Sequence, residues 1–387
     1  MRKPIPYGRQ TITDADVAAV TEALRSDFLT QGPRITEFEE KFADYVGAEY
    51  GVAVNNATSG LHIAAKALGV KPGQRVIVTP MTFAASANCI RYCGGDVTFC
   101  DIDPDTYLMD ARKLEKILDE NPEGTFAGMV IVDFAGYPHN LEEFRRIADR
   151  HGLWIIEDAC HAPGAWFTDS AGRPQRSGNG KFADCSVFSF HPVKHIATGE
   201  GGMVTTDSPE LLERLRLYRT HGITKDPGKM EKCDGGWYYE MVDLGFNYRL
   251  TDIQAALGIS QLSRADEGLA RRQEIARRYD EAFAGHPEIK TPFRAPDIYH
   301  AFHLYVIQTP RRRELYDFLR ANGVMAQVHY APLHLMPYYR QFGWKEGDLP
   351  VVEEYYSRCL SLPMFPALTD EEQQYVIDKV LEFFKNA

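Results

Sequence analysis

From residue 50 to about residue 205 the chain alternates short, nearly continuous apolar runs with stretches whose apolar residues recur at helical spacing. YGVAV (50–54), RVIVTP (75–80), DVTFCDI (96–102), GMVIVDF (128–134), LWIIEDA (153–159), DCSVFSF (184–190) and GGMVTTD (201–207) read as strands. TSGLHIAAKALGV (58–70), FAASANCIRYCG (83–94) and the amphipathic NLEEFRRIADRHG (140–152) read as helices between them. Alternate side chains of a strand point to opposite faces, so a strand apolar throughout is buried on both. That pattern predicts an α/β architecture: a mostly parallel central sheet with helices on both sides. Ligands of such sheets bind at the carboxyl ends of the strands, which is where chemistry is to be sought.

Beyond residue 250 the pattern changes. TDIQAALGISQLSRADEGLARRQEIARRYDEAF (251–283) opens on a Thr/Asp start signal and reads as one long helix. A short strand HLYVIQT (303–309), a helix RRRELYDFLRANG (311–323), an extended VMAQVHY (324–330) and a final helix DEEQQYVIDKVLEFF (370–384) follow. The expected organisation is an N-terminal arm and large domain over 1–250 and a smaller C-terminal α+β domain over 251–387.

Composition narrows the function classes. A net charge of −11 leaves no electrostatic footprint for nucleic acid or an anionic membrane. No window has the apolar length of a transmembrane helix, and the opening MRKPIPYGRQTITDADV lacks the apolar stretch of a signal peptide. The seven cysteines form no CxxC pair, and Cys89, Cys93, Cys100, Cys185 and Cys359 lie in apolar segments. Reduced thiols in a cytoplasmic protein are expected.

Four polar features fall at strand ends or at a helix start. NNATSG (55–60) joins a strand to a helix, where free N–H groups and the hydroxyls of Thr58 and Ser59 suit an anion; an ordinary N-cap reads the same way. Glu157 and Asp158 end a buried strand, with His161 just beyond. A carboxylate there calls for a cationic partner, and a protonated pyridine nitrogen or an arginine would each serve. In SFHPVKHIATGEGG (189–202), Ser189 ends a strand and Lys194 follows before a glycine-rich turn. Burial would favour the free amine needed for imine chemistry, whereas a lysine in a hairpin turn would be solvated. DLGFNYRLTD (243–252) carries Asn247 and Arg249 just before the long helix and reads equally as a plain turn. G-x-G-x-x-G after a strand, the ATPase phosphate loop, G-x-S-x-G and H-E-x-x-H are all missing. HYAPLH (329–334) has no second cluster to complete a metal site, so no metal is expected.

Taken in order and spacing, with EDACHAPGA…DCSVFSFHPVKHIATGEGGMVTT at the core, these features resemble the DegT/DnrJ/EryC1/StrS family of sugar aminotransferases, from IPYGRQTIT to the last helix. The resemblance implies the fold-type I architecture of pyridoxal 5'-phosphate enzymes. It implies that Lys194 holds the cofactor as a Schiff base, that Asp158 meets the pyridine nitrogen, and that His161 lies near the ring. Thr58, Ser59 and Ser189 match phosphate-binding positions, and Phe83 the aromatic that stacks on the ring. Asn247 matches an asparagine that reaches the phosphate of a neighbouring subunit, which implies a homodimer with shared sites. Within the family, PYGRQ, SDFLTQGP, NNATSGLHIA, ITKDP and VHYAPLHLMPYY are most similar to the pseudaminic-acid branch. By that similarity Tyr7, Phe28, Leu29, Thr30, His329 and Tyr330 line the nucleotide-sugar site, and L-glutamate is the amino donor. Other readings are a nucleotide-sugar 3- or 4-aminotransferase for dTDP or GDP sugars, a 3-dehydratase on the same scaffold, and a non-catalytic regulatory module. The dehydratases carry histidine where Lys194 stands.

Overall fold

The computed structural model describes residues 3–385. Its centre is a seven-stranded sheet in the order Tyr50–Val54, Gly202–Thr206, Cys185–Ser189, Trp154–Asp158, Phe126–Val132, Arg75–Val78, Asp96–Phe99. Gly202–Thr206 runs antiparallel to both its neighbours, and the other pairings are parallel. All seven predicted strands of the sheet are present: Tyr50–Val54 keeps its predicted bounds, Phe126–Val132 begins and ends two residues earlier than expected, and the other five are two or three residues shorter. Every residue from Cys185 to Ser189 and from Gly202 to Thr206 is buried, as a sheet covered on both faces requires.

Helix Ala57–Ala67 leaves the first strand through Asn56, whose Oδ1 accepts from the Ser59 N–H at 2.9 Å. Gly202 makes that junction possible: a Cβ there would sit 2.7 Å from the Ala57 nitrogen. Helices Asp14–Leu24, Pro33–Val46, Ala111–Asp119 and Pro209–Arg219 lie outside the periodic segments named above.

The stretch 251–283 is not one helix. It breaks into Asp252–Leu262 and Ala265–Phe283, with Arg264 at φ −122° and ψ 19° between them. Thr251 and Gln254 do form the expected capping box at its start. The break has a visible cause. The Arg264 guanidinium grips both carboxylate oxygens of the buried Asp16 (2.8 and 2.6 Å) and the Thr11 carbonyl (2.8 Å), and an unbroken helix would carry it past them. VMAQVHY is likewise only partly strand. Val324–Met325 pairs in parallel with Ile5–Pro6, and the chain then runs irregularly past a bridge between Gln327 and Ser361.

Strand Tyr305–Gln308 pairs antiparallel with Cys359–Leu362 and packs against helices Ala265–Phe283, Arg312–Ala321 and Asp370–Lys385. Ile5, at 1% exposure, is buried in the same cluster, so the N-terminal arm is tied into the C-terminal part of the chain.

Candidate active site

A cavity of about 470 Å³ opens at the carboxyl ends of the parallel strands. Of the residues singled out from the sequence, Tyr7, Thr58, Phe83, Asp158, His161, Ser189, Lys194, His329 and Tyr330 line it. Adjacent carboxylates of one strand divide by the two-residue period: Asp158 faces the cavity, and Glu157 points to the other face. Asp158 Oδ2 accepts from Ser86 Oγ at 2.5 Å, and Oδ1 from the Cys160 N–H at 3.2 Å. Ser86 is itself held by Thr82, 2.6 Å away. The carboxylate is thus buried and fixed while facing the cavity.

Lys194 is half-buried, with its amine 3.4 Å from His303 Nε2. Burial lowers its pKa to about 8, opposed by the neighbouring Cys160 and Asp158. The turn beyond it behaves as its glycines require in part. Gly199 takes a φ of +84°, whereas Gly201 and Gly202 serve close approach: a Cβ on Gly201 would lie 2.2 Å from Thr198 Oγ1.

His161 is buried, and its Nδ1 accepts from the Ala135 N–H at 3.2 Å. The neutral ring therefore carries its proton on Nε2, which faces the Tyr330 hydroxyl at 3.4 Å. Burial and then the Lys194 charge push its pKa well down, which keeps the imidazole neutral. His329 is tied through Nδ1 to Ser361 Oγ at 2.8 Å and stacks obliquely on Tyr7. Phe83 remains 63% exposed at the mouth, its ring 6.4 Å from that of Tyr330.

Five of the site residues assigned through the family resemblance lie outside this lining. Ser59 is buried, and its N–H is occupied by Asn56. Phe28, Leu29 and Thr30 form an exposed segment before helix Pro33–Val46. Asn247 is exposed and bridged to Thr220. Conversely, Asn56, Thr82, Cys160 and Glu200 line the cavity without having been singled out, and His303 touches Lys194. Asn56 was visible as an N-cap residue; His303 was absorbed into the apolar run HLYVIQT.

These groups fit pyridoxal phosphate. Thr58, Ser189 and the first turn of helix Ala57–Ala67 offer donors to a phosphate, Asp158 suits a protonated ring nitrogen, and Lys194 provides the amine. Residues 10–381 match the DegT/DnrJ/EryC1/StrS aminotransferase family. The chain belongs to that family. Spore coat polysaccharide biosynthesis protein SpsC of Bacillus subtilis is 39% identical, over 99% of this chain and 98% of that protein. The UDP-4-amino-4,6-dideoxy-N-acetyl-beta-L-altrosamine transaminase of Campylobacter jejuni is 36% identical over 98% of each. Helicobacter pylori PseC, an aminotransferase involved in the biosynthesis of pseudoaminic acid, superposes with a TM-score of 0.91 at 31% identity, covering 100% of both chains. The protein is a pyridoxal-phosphate-dependent sugar aminotransferase of the α/β, fold-type I class. Among the described residues no helix is long and apolar enough to cross a membrane.

Proposed function

We propose that this aminotransferase moves the amino group of L-glutamate to the 4-keto carbon of a nucleotide-linked 4-keto-6-deoxy sugar. The substrate we assign is UDP-2-acetamido-2,6-dideoxy-β-L-arabino-hexos-4-ulose, on the pseudaminic-acid route in the cytoplasm. The observation that carries the reaction is the convergence of Lys194 and Asp158 on one cavity. The altrosamine transaminase and PseC likenesses support the sugar.

Bound pyridoxal phosphate supplies the electron sink for the carbanion formed at the amino-bearing carbon. Asp158, held by Ser86 and the Cys160 N–H, keeps a negative charge where the ring nitrogen must stay protonated. The Lys194 amine would hold the cofactor and, when not so engaged, would carry a proton to and from the reacting carbon as general base and acid. Neutral His161 presents its Nε2–H toward Tyr330, a donor for an oxygen on the cofactor or the sugar. Tyr7, His329 and Tyr330 form the wall open to the sugar. Phe28, Leu29, Thr30 and Asn247, outside that wall, are assigned to a site completed by a second copy of the chain.

The 39% identity to SpsC favours a second reading, a different nucleotide sugar with the same chemistry. Purified protein should be yellow, and glutamate should bleach it. Mass analysis of a panel of UDP-, GDP- and dTDP-linked 4-keto sugars should show amination of the UDP-linked substrate above the rest. Lys194→Ala should lose both the visible absorption and turnover. A fully active Lys194→Ala protein would overturn the reading, and preference for a dTDP or GDP sugar would overturn the substrate.

A further inference from the structure

The Lys194 amine has one side-chain hydrogen-bonding neighbour among the contacts seen, His303 Nε2 at 3.4 Å, and His303 comes from the far part of the chain. We propose that His303 is a positioning residue for Lys194, its neutral imidazole accepting an N–H of the amine and fixing where the amine points. The inference rests on the reading of Lys194 as the cofactor lysine and proton carrier.

The surroundings of His303 are organised to deliver that one nitrogen. Phe302, immediately before it, holds a φ of +48°, a conformation unfavourable for a bulky residue. Neighbouring groups enforce this turn. The Phe302 N–H donates to His300 Nδ1 at 2.9 Å, and the two rings stack with centroids 3.9 Å apart. Arg272, 1% exposed, donates to the carbonyls of Phe302 (2.9 Å), His303 (3.3 Å) and Met364 (3.1 Å). A buried guanidinium and a strained residue are thus both committed to a loop whose next side chain meets Lys194. Local strain of this kind gathers at functional sites.

The protonation pattern agrees. Burial, then Lys194, His161, His195 and Arg272, drive the His303 pKa well down, so the ring does not compete with lysine for a proton. An ammonium at Lys194 can only donate, which places the imidazole proton on Nδ1 and leaves Nε2 bare. Among the described residues the buried Nδ1 has no hydrogen-bond partner, so no protein group there draws the proton away from it. The ring also lies against His161 in a tilted contact, with centroids 4.3 Å apart and 40° between the planes. The other titratable or charged groups around the amine are Asp158, Cys160, His161, His195, Arg272, His329 and Tyr330.

The test compares His303→Phe, which keeps the ring and loses the acceptor, with His303→Gln, whose amide oxygen restores an acceptor near Nε2. His303→Asn, too short to reach, is the second loss variant should His303→Phe fail to fold. In full-length protein stripped of cofactor, Lys194 modification by methyl acetimidate is followed against pH by peptide mass spectrometry. In the holoenzyme, the glutamate half-reaction is followed against pH by bleaching. A hydrogen bond to the charged form raises a lysine's pKa, so its loss should lower the Lys194 midpoint by about one unit. The half-reaction should slow by about 10- to 100-fold, with its profile displaced in the same direction, and His303→Gln should recover most of both. An unchanged midpoint and profile in His303→Phe or His303→Asn would overturn the proposal. If Lys194→Ala abolishes turnover in the same series, that result leaves the cofactor-lysine reading standing; if Lys194→Ala is active, the reading itself has failed.

Discussion

At the scale of the single residue, the amine of Lys194 must be free base to capture the cofactor. Burial lowers its pKa to about 8, so the neutral fraction grows as pH rises through that value and saturates above it. Capture of pyridoxal phosphate by cofactor-free protein should accelerate about tenfold per pH unit below 8 and level off beyond 9. Stopped-flow absorbance checks this, and a midpoint near 10, that of a solvated lysine, would contradict it. Lys194 and Asp158 were legible through the company of the other motifs: alone, the strand-end carboxylate suited an arginine as well as a pyridine nitrogen, and the lysine suited a solvated turn. His303 was not, because what makes it polar chemistry is the Phe302 turn and Arg272, neither of which leaves a periodic trace. At Ser59 the cap by Asn56 takes the backbone N–H and leaves the hydroxyl, the group that suited an anion in the sequence, outside that bond.

At the scale of the element, strand identities followed from apolar continuity, whereas breaks and ends depended on distant partners. The 251–283 stretch has an uninterrupted helical pattern, yet Arg264 stops it to reach a carboxylate 248 positions away. Burial alone would raise the Asp16 pKa, but Arg264, Thr13 and Ser260 outweigh it and bring it down to about 2. A depressed carboxylate stabilises the fold above its unfolded pKa, near 4, and that contribution fades as pH falls toward 2. Arg264→Ala should therefore cost about 3 kcal/mol at pH 7 and clearly less at pH 3, where Asp16 of the variant is protonated. Urea titrations at the two values decide it; an equal loss at both would mean that the guanidinium acts by packing alone. The opposite sign operates behind the cavity. Glu157 faces Asp133 while its Oε2 accepts from Ser186 Oγ at 2.5 Å and the Gly178 N–H at 2.9 Å. Burial, then Asp133, pushes Glu157 well up, and burial raises Asp133 to about 6. Raised carboxyls stabilise fully below their unfolded pKa, near 4, and the benefit is lost as pH rises through the folded values. Glu157→Gln replaces the shared proton by an amide N–H, so its fall in Tm between pH 6 and pH 9 should be smaller than that of the parent by about 2–4 °C. An identical fall would show that the pair holds no proton in that range.

At the scale of the whole molecule, the family resemblance implies a site shared between two copies of the chain. Asn247 lies outside the cavity lining, in a stretch with Trp237 at 77%, Met241 at 65% and Leu244 at 67% exposure. Apolar side chains so exposed in succession suit a second copy of the chain. If Asn247 serves the partner's cofactor, two inactive variants can repair one another. A dimer of one Lys194→Ala chain and one Asn247→Ala chain has a ruined site, lacking both groups, and an intact site, with lysine from one chain and asparagine from the other. Random reassociation makes about half the dimers mixed, and each mixed dimer has one good site of two, so about a quarter of the parent activity should return. If the asparagine instead served its own chain, every site would lack one group, and mixing would restore nothing above the two variants measured apart. Recovery should also require exchange of subunits, appearing on co-refolding or co-expression and not on brief mixing of preformed dimers.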